Sequence, residues 1–515
     1  MNRTKKAAKN VIISLIGYIC VVLGGFISRT VIIRYMGIEM VGIGQLFSNI
    51  FMLLSYSSFG LETSIVYSLY VPLQKKDYDK VNTIMQFYKK CFRIIELAII
   101  GLIALFIPFI SFIVKDSDNV QNIYTILILY GLTSASTYCY AYKRSIIIAD
   151  QNRWLSTLFT DISAIIKLIL QIAIISLTQN YTLYMLTNIV VVISNMLAAY
   201  EADRRYPYLH GTFVEQITDT EKKELKRTTI ATIEQKLGFV LVFAADSILM
   251  SAFLGLDVVG KYSNYLMIIN GLQAGIIIIF QSVTAGIGDL AVEEGAGGKK
   301  LRQSWKILNY IGYWIYAFST VCLLVLFNPF IEVWIGKEYI FSLPILLCIV
   351  LNYYIDGMRR PVITCKDAMG IQWNDRWKPW IEAALNVVIS TALLMCGYGI
   401  EGVLIGTIIS KLLSSCWIEP YMLYKYGLKD RLRDYLKEYA IQILGVCIMA
   451  AATYGCANAV EVEGNLWYTL LAKFVVCMVI PNAFFAILTF KSDAYRASKK
   501  VIKQLFRKRD KAVNQ

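Results

Sequence analysis

Between Val11 and Thr489 the chain keeps returning to apolar runs of roughly twenty residues, the length an α-helix needs to cross a bilayer. No other feature constrains the fold as strongly. Hydrocarbon offers no partner to backbone N–H and C=O groups, so a spanning run becomes a helix that satisfies them internally. About fourteen spans are expected on this criterion, at 11–33, 41–70, 94–114, 123–148, 155–177, 183–200, 228–254, 262–286, 307–327, 340–357, 380–398, 402–423, 439–457 and 466–489. Composition agrees, with 57% hydrophobic and 17% charged residues among 515, where a soluble domain carries roughly a quarter charged. The fold class read from this is an all-α polytopic membrane protein.

The basic residues alternate with these spans. With the N-terminus inside, and Lys143 and Arg144 counted with the inner end of span four, 42 of the 51 Lys and Arg fall on the side of both termini. Lys115, Lys261 and Lys337 fall on the other, and Arg29, Arg34, Lys167, Lys236, Lys411 and Lys473 fall in spans or at their ends. Lys and Arg stay cytoplasmic, so both termini and the loop 201–227 are expected inside a cell membrane. The same interleaving excludes nucleic acid as the reason for a net charge of +15, because that function needs a clustered basic face. Eleven cysteines are scattered without a Cys-x-x-Cys pair, and the one histidine, His210, stands in a polar loop. Neither a disulfide framework nor a metal site is indicated. The basic start, Arg3 to Lys9, precedes an apolar run too long for a signal peptide, so it is expected to remain as the first helix.

One short pattern occurs twice. Met36-Gly37-Ile38-Glu39-Met40-Val41-Gly42 is echoed by Leu254-Gly255-Leu256-Asp257-Val258-Val259-Gly260, each after a long apolar run. Since the loop 201–227 is placed inside, both halves start from the cytoplasm, as parallel repeats about an axis along the membrane normal. The expected organisation is an N-terminal lobe over 1–210 with spans one to six and a C-terminal lobe over 211–427 with spans seven to twelve. Two further spans occupy 428–490. The basic tail 491–515 is read either as a helix on the inner leaflet or as a solubilising extension.

A charge inside a span costs at least roughly 2.5 to 3.5 kcal/mol on insertion scales, so it faces a partner or a water-filled cavity. The candidate cavity residues are Arg29, Lys167, Lys236, Lys411 and Glu62, with Arg34, Arg144 and Glu382 nearer span ends as rim candidates. The plain alternative for each is a structural ion pair or a snorkelling stem. Span one carries two arginines and no acid. A guanidinium fork that keeps its proton suits phosphate or carboxylate, so a cavity built on it implies an anionic cargo head. Shifting Arg29 by the 218 residues that separate Gly42 from Gly260 lands beside Asp246, which makes Arg29 and Asp246 an expected gating pair. Its rival is a pair between Arg29 and Glu62 within one lobe.

Further residues carry a family likeness: Asp246-Ser247-Ile248-Leu249-Met250-Ser251, Val259-Gly260-Lys261-Tyr262-Ser263-Asn264-Tyr265, Ile381-Glu382-Ala383, and Gly399-Ile400-Glu401-Gly402-Val403-Leu404-Ile405-Gly406. With them the chain resembles the Wzx-like oligosaccharide flippases of polysaccharide biosynthesis. These lie in the multidrug/oligosaccharidyl-lipid/polysaccharide (MOP) exporter superfamily, together with multidrug and toxin extrusion (MATE) proteins and lipid II flippases. The resemblance implies fourteen helices in two lobes, and alternating-access transfer of a polyprenyl-diphosphate-linked oligosaccharide from the inner to the outer leaflet. Glycosyltransferases and a polysaccharide polymerase are the implied partners. No cofactor is implied, and a coupling ion, H+ or Na+, stays open. Where such proteins often carry an acid before Phe-Gly-Leu of span two, this chain has Ser58 before Phe59-Gly60-Leu61. A cation-coupled multidrug exporter and a lipid II-type precursor flippase are alternatives on the same fold. An embedded glycosyltransferase or polymerase would need a sizeable loop domain, and loops of about a dozen residues on the outer side leave no room for one; no enzyme is expected.

Overall fold

The computed structural model describes residues 22–115, 120, 122–150, 152–210, 241–242, 244–460 and 465–489, and among them there is no β-strand. Two compact units divide the chain, Met1–Asn264 and Tyr265–Gln515. Eight of the helices are long and apolar enough to cross a membrane by length and composition.

In the first unit, α1 (22–36) ends at Gly37, whose φ of +85° is left-handed backbone that only glycine enters without strain. α2 (Ile38–Lys75) leaves directly from it and closes on Lys76 in the left-handed conformation. α3 (Tyr78–Phe106) starts with Asp77 accepting a hydrogen bond from the Lys80 N–H, and a 3-10 turn carries it on through Ile113. α4 (Ile123–Ala149) is the centre of the unit, packed against α2, α3 and α6 (Tyr181–Leu186, then Ile189–Arg205). α5 (Arg153–Thr178) packs on α4 and α6. Ile43, Leu46, Phe47 and Ile50 of α2 and Ile126 and Leu127 of α4 belong to the continuous buried core between these helices. The last described pieces of this unit are α7 (Ala244–Leu254) and the first turns of α8 (Leu256–Glu294), joined at Gly255 with φ of +96°. The repeated sequence pattern thus produces the same break twice, at Gly37 and at Gly255.

The second unit is strung along one line of packing. α11 (Lys378–Met395) lies on α12 (Ile400–Leu413, then Ser415–Met422), α12 on α10 (Leu343–Ala368), and α10 on α9 (Lys299–Trp334). α13 (Leu432–Asn458) and α14 (Leu466–Thr489) pack on each other and on α9. A small core of Val325, Ala457 and Cys477 joins those three.

Each expected span overlaps a described helix, although 11–21 of the first span and 228–240 of the seventh lie outside the described residues, and several helices run past their spans. α10 continues to Ala368 although its expected span stops at 357, and it carries Arg359, Arg360 and Lys366. Hydropathy marks only the part of a helix that hydrocarbon must wet; a face packed on other helices is free to be polar.

Candidate functional site

The polar residues of α1 are brought together with those of α8 by an unusually close helix crossing. A methyl group on Gly42 of α2 would overlap the Leu256 carbonyl oxygen of α8, and one on Gly260 would overlap the Ile38 carbonyl oxygen. Glycine at both positions lets the two backbones touch. Around this crossing the neighbouring helices exchange hydrogen bonds. Arg29 Nη1 donates to Ser263 Oγ at 2.8 Å and Asn264 Oδ1 at 3.1 Å, joining α1 to α8. Asn49 Nδ2 donates to Ser247 Oγ at 2.6 Å, joining α2 to α7, and Gln45 donates to Asn49 in turn.

Arg29 stands eight residues before Gly37, about 12 Å from that end of the helix. The phenols of Tyr184, Tyr130 and Tyr181 lie close enough to act on its charge, and Tyr184 also stands beside Ser28 of the same helix. Tyr181 and Tyr184 stack with ring centroids 5.2 Å apart. Among the described residues no carboxylate lies within ion-pair distance of Arg29. An arginine carries five N–H donors, and the two on Nη1 face Ser263 and Asn264. The Nε and Nη2 edge, the one that grips a phosphate or carboxylate with two parallel bonds, is not used by the described residues. The guanidinium is therefore steered to Ser263 and Asn264, whereas the sequence paired it with Asp246. Asp246 itself is buried on α7, next to Ser247.

The other expected residues are distributed as follows. Lys167 on α5 is half-buried and makes no hydrogen bond or ion pair among the described residues. Arg34 is exposed one turn before Gly37. Arg144 donates to Ser156, Thr160 and Asn195 inside the first unit. Lys236 and the side chain of Glu62 lie outside the described residues.

Lys411 and Glu382 belong to something the sequence did not reveal, a buried ionic network in the second unit. Arg359 of α10 donates to both oxygens of Glu419 at 3.0 and 2.9 Å and to Asp356 at 3.1 Å, and lies 3.6 Å from Glu382. Lys378 reaches Glu419 as well and Glu382 at 3.9 Å. Lys411 donates to Asp356 at 2.7 Å and Asn352 at 3.2 Å. Ser415 donates to Glu382. Three cations, Arg359, Lys378 and Lys411, thus face three carboxylates, Asp356, Glu382 and Glu419. Lys411 is a member of a structural ion pair, the plain alternative that the sequence had left beside a cavity role. The spacing signal was present: Asp356 and Arg359 are three apart and Lys378 and Glu382 four apart, both helix-face neighbours. Hydropathy hides it, because Arg359 lies beyond the expected span that ends at 357.

The fold as a whole is similar to that of solved membrane proteins. The chain matches the lipid II flippase MurJ in an inward closed conformation with a TM-score of 0.64 at 15% identity, over 93% of this chain and 99% of that one. It matches an inward-facing multidrug resistance MATE family transporter of the MOP superfamily with a TM-score of 0.58 at 12% identity, over 81% and 98%. The chain has the fold of the MOP superfamily. The Vibrio cholerae MATE transporter VcmN gives a TM-score of 0.52 at 13% identity, over 82% of this chain and 99% of that one. No protein-family model and no curated protein sequence matches the chain. The neighbours are named as a flippase and as transporters, and what the likeness shows of this chain is its helical fold.

Proposed function

We propose that the protein is a flippase for a polyprenyl-diphosphate-linked oligosaccharide, carrying it from the cytoplasmic to the outer leaflet by alternating access. The observation that carries this reading is the contrast between the two units. Arg359, Lys378 and Lys411 of the second unit are matched by carboxylates, while Arg29 of the first meets only neutral oxygens among the described residues, none of which uses its bidentate edge. A diphosphate offers the paired oxygens that edge takes, and surrounding phenols supply further donors. Lys167, without a partner among the described residues, is a second cation for the same head group.

Cargo of opposite sign is less well served. A multidrug exporter of organic cations wants carboxylates left without cations, and Asp356, Glu382 and Glu419 are each matched. A lipid II-type cargo shares the diphosphate and is favoured by the broad match to the flippase named above, so the glycan is the open variable. Both termini are placed in the cytoplasm in this reading. The test is reconstitution of the full chain in liposomes with a fluorescent polyprenyl-diphosphate oligosaccharide, followed by quenching from outside. Transfer that falls in Arg29→Ala supports the proposal. Unchanged transfer in that variant, or transport of ethidium and not of the lipid, overturns it.

A further inference from the structure

A cavity of about 240 Å³ lies at the other end of the first unit, away from Arg29, lined by Gln86 and Lys89 of α3, Tyr142 and Lys143 of α4, and Asp203 of α6. Met85 and Leu209 close its apolar side. One water needs only about 10 to 15 Å³ of such space, so the cavity has room for a small organic group. Its depth relative to a membrane follows from α3. The apolar run of that helix begins only at Ile94, and from Ile94 to Ile113 it already rises about 30 Å, the thickness of the hydrocarbon. Gln86 and Lys89 therefore stand at headgroup level. Tyr142 and Lys143 lie in the last two turns of α4, and Asp203 in the last turn of α6.

The lining has two chemistries side by side. Lys89 is exposed and Lys143 partly buried, and together they present ammonium donors to an anion. Asp203 holds Lys143 at 2.5 Å through one oxygen, and with Gln86 and the Tyr142 phenol it offers acceptors and donors to hydroxyl groups. A ligand that is anionic at one end and hydroxylated at the other uses both. We propose that this cavity binds a polyol phosphate group, supplied either as the glycerol phosphodiester of an anionic phospholipid or as a free polyol phosphate. Basic pockets at the membrane surface select anionic headgroups over zwitterionic ones, because the added ammonium of the latter meets Lys at close range.

The test uses the full chain in detergent, with short-chain phosphatidylglycerol, short-chain phosphatidylcholine and glycerol 3-phosphate as separate probes, and bound ligand counted by native mass spectrometry. Phosphatidylglycerol is expected to bind in preference to phosphatidylcholine, and the double variant Lys89→Gln/Lys143→Gln to weaken it by about tenfold or more. Binding of glycerol 3-phosphate with the same lysine dependence would support the shared chemistry and assign the source to a free polyol phosphate. Asp203→Asn is the control for folding and gives the opposite sign: it releases Lys143, so phosphate affinity rises while the preference for glycerol over a methyl phosphodiester falls. Equal binding of both lipids, or binding indifferent to Lys89, Lys143 and Asp203 alike, overturns the proposal.

Discussion

Gly42 and Gly260 face each other where α2 crosses α8, so closely that a methyl group on Gly42 would lie 3.1 Å from the Gly260 nitrogen. Each glycine also meets the residue that opens the other helix, Gly42 against Leu256 and Gly260 against Ile38. These positions are equivalent in the repeated pattern, so the contact is reciprocal, as in a twofold interface where one surface pairs with its own copy. Gly42→Ala and Gly260→Ala should each cost about 1 to 3 kcal/mol, because backbone carbonyls cannot step aside as a side chain would. Gly271→Ala is the control, since nothing lies within 4 Å of the added methyl. Thermal unfolding of the purified variants reads this out, and equal midpoints for Gly42→Ala and Gly271→Ala would refute the crossing.

Arg29→Lys should retain part of the transport that Arg29→Ala loses. The charge remains while the two-pronged grip is lost, a difference of about 1.5 to 3 kcal/mol for a charged hydrogen bond. Asn264→Ala should lower transport less, since it removes only one of the oxygens steering Nη1. Equal rates in the Lys and Ala variants would show that the fork is not used.

The network around Arg359 predicts an inverted mutational logic. Arg359→Leu leaves Asp356, Glu382 and Glu419 with Lys378 and Lys411, and an uncompensated buried charge costs about 3 to 5 kcal/mol. The pair Arg359→Met/Glu419→Gln removes one charge of each sign and should recover most of that loss. Yield of monodisperse protein and its melting temperature decide it; a double variant as damaged as the single one would disprove charge balance as the cause.

Just after α6, Tyr206 donates to Asp150 Oδ2 at 2.8 Å, and the Tyr208 ring meets Tyr78 at a tilt of 31° with centroids 4.4 Å apart. Burial first, then the Asp150 carboxylate, pushes the Tyr208 phenol up to about 12, and the Tyr206 phenol is raised by the same causes. Folded pKa values above the free value of about 10 mean that the neutral phenols favour the folded state. Their contribution is intact below pH 10 and is lost as pH rises from about 10 to 12. The fall in melting temperature over that window should be shallower in Tyr206→Phe/Tyr208→Phe than in the parent chain.

Orientation is open to cysteine labelling in a cysteine-free background. Asn180→Cys and Asn465→Cys should react with an impermeant reagent from outside, and Gln216→Cys should not. Strong labelling at Gln216→Cys would reverse the placement of both termini.

The spans were legible because a bilayer enforces both length and apolarity, and the breaks at Gly37 and Gly255 were visible as a repeated pattern. What hydropathy hid was the far end of α10. Arg359 lies on a helix face packed against α12, where Glu419 supplies its solvent, so the residue reads as loop by composition and as interior by structure. Arg29 stood out as a charge inside an apolar run, but a periodic offset gives depth along a helix and not direction around it. The choice between Asp246 and Asn264 turns on that rotation.

The balance of the second unit has an electrical consequence. Moving one elementary charge through a membrane potential costs about 2.3 kcal/mol per 100 mV. Arg359, Lys378 and Lys411 with Asp356, Glu382 and Glu419 sum to zero, so any displacement of that cluster along the membrane normal does no work against the potential. Arg29 has no matching carboxylate among the described residues, so a displacement of it along the normal would carry a charge through the field, and an anion bound to it would cancel that charge.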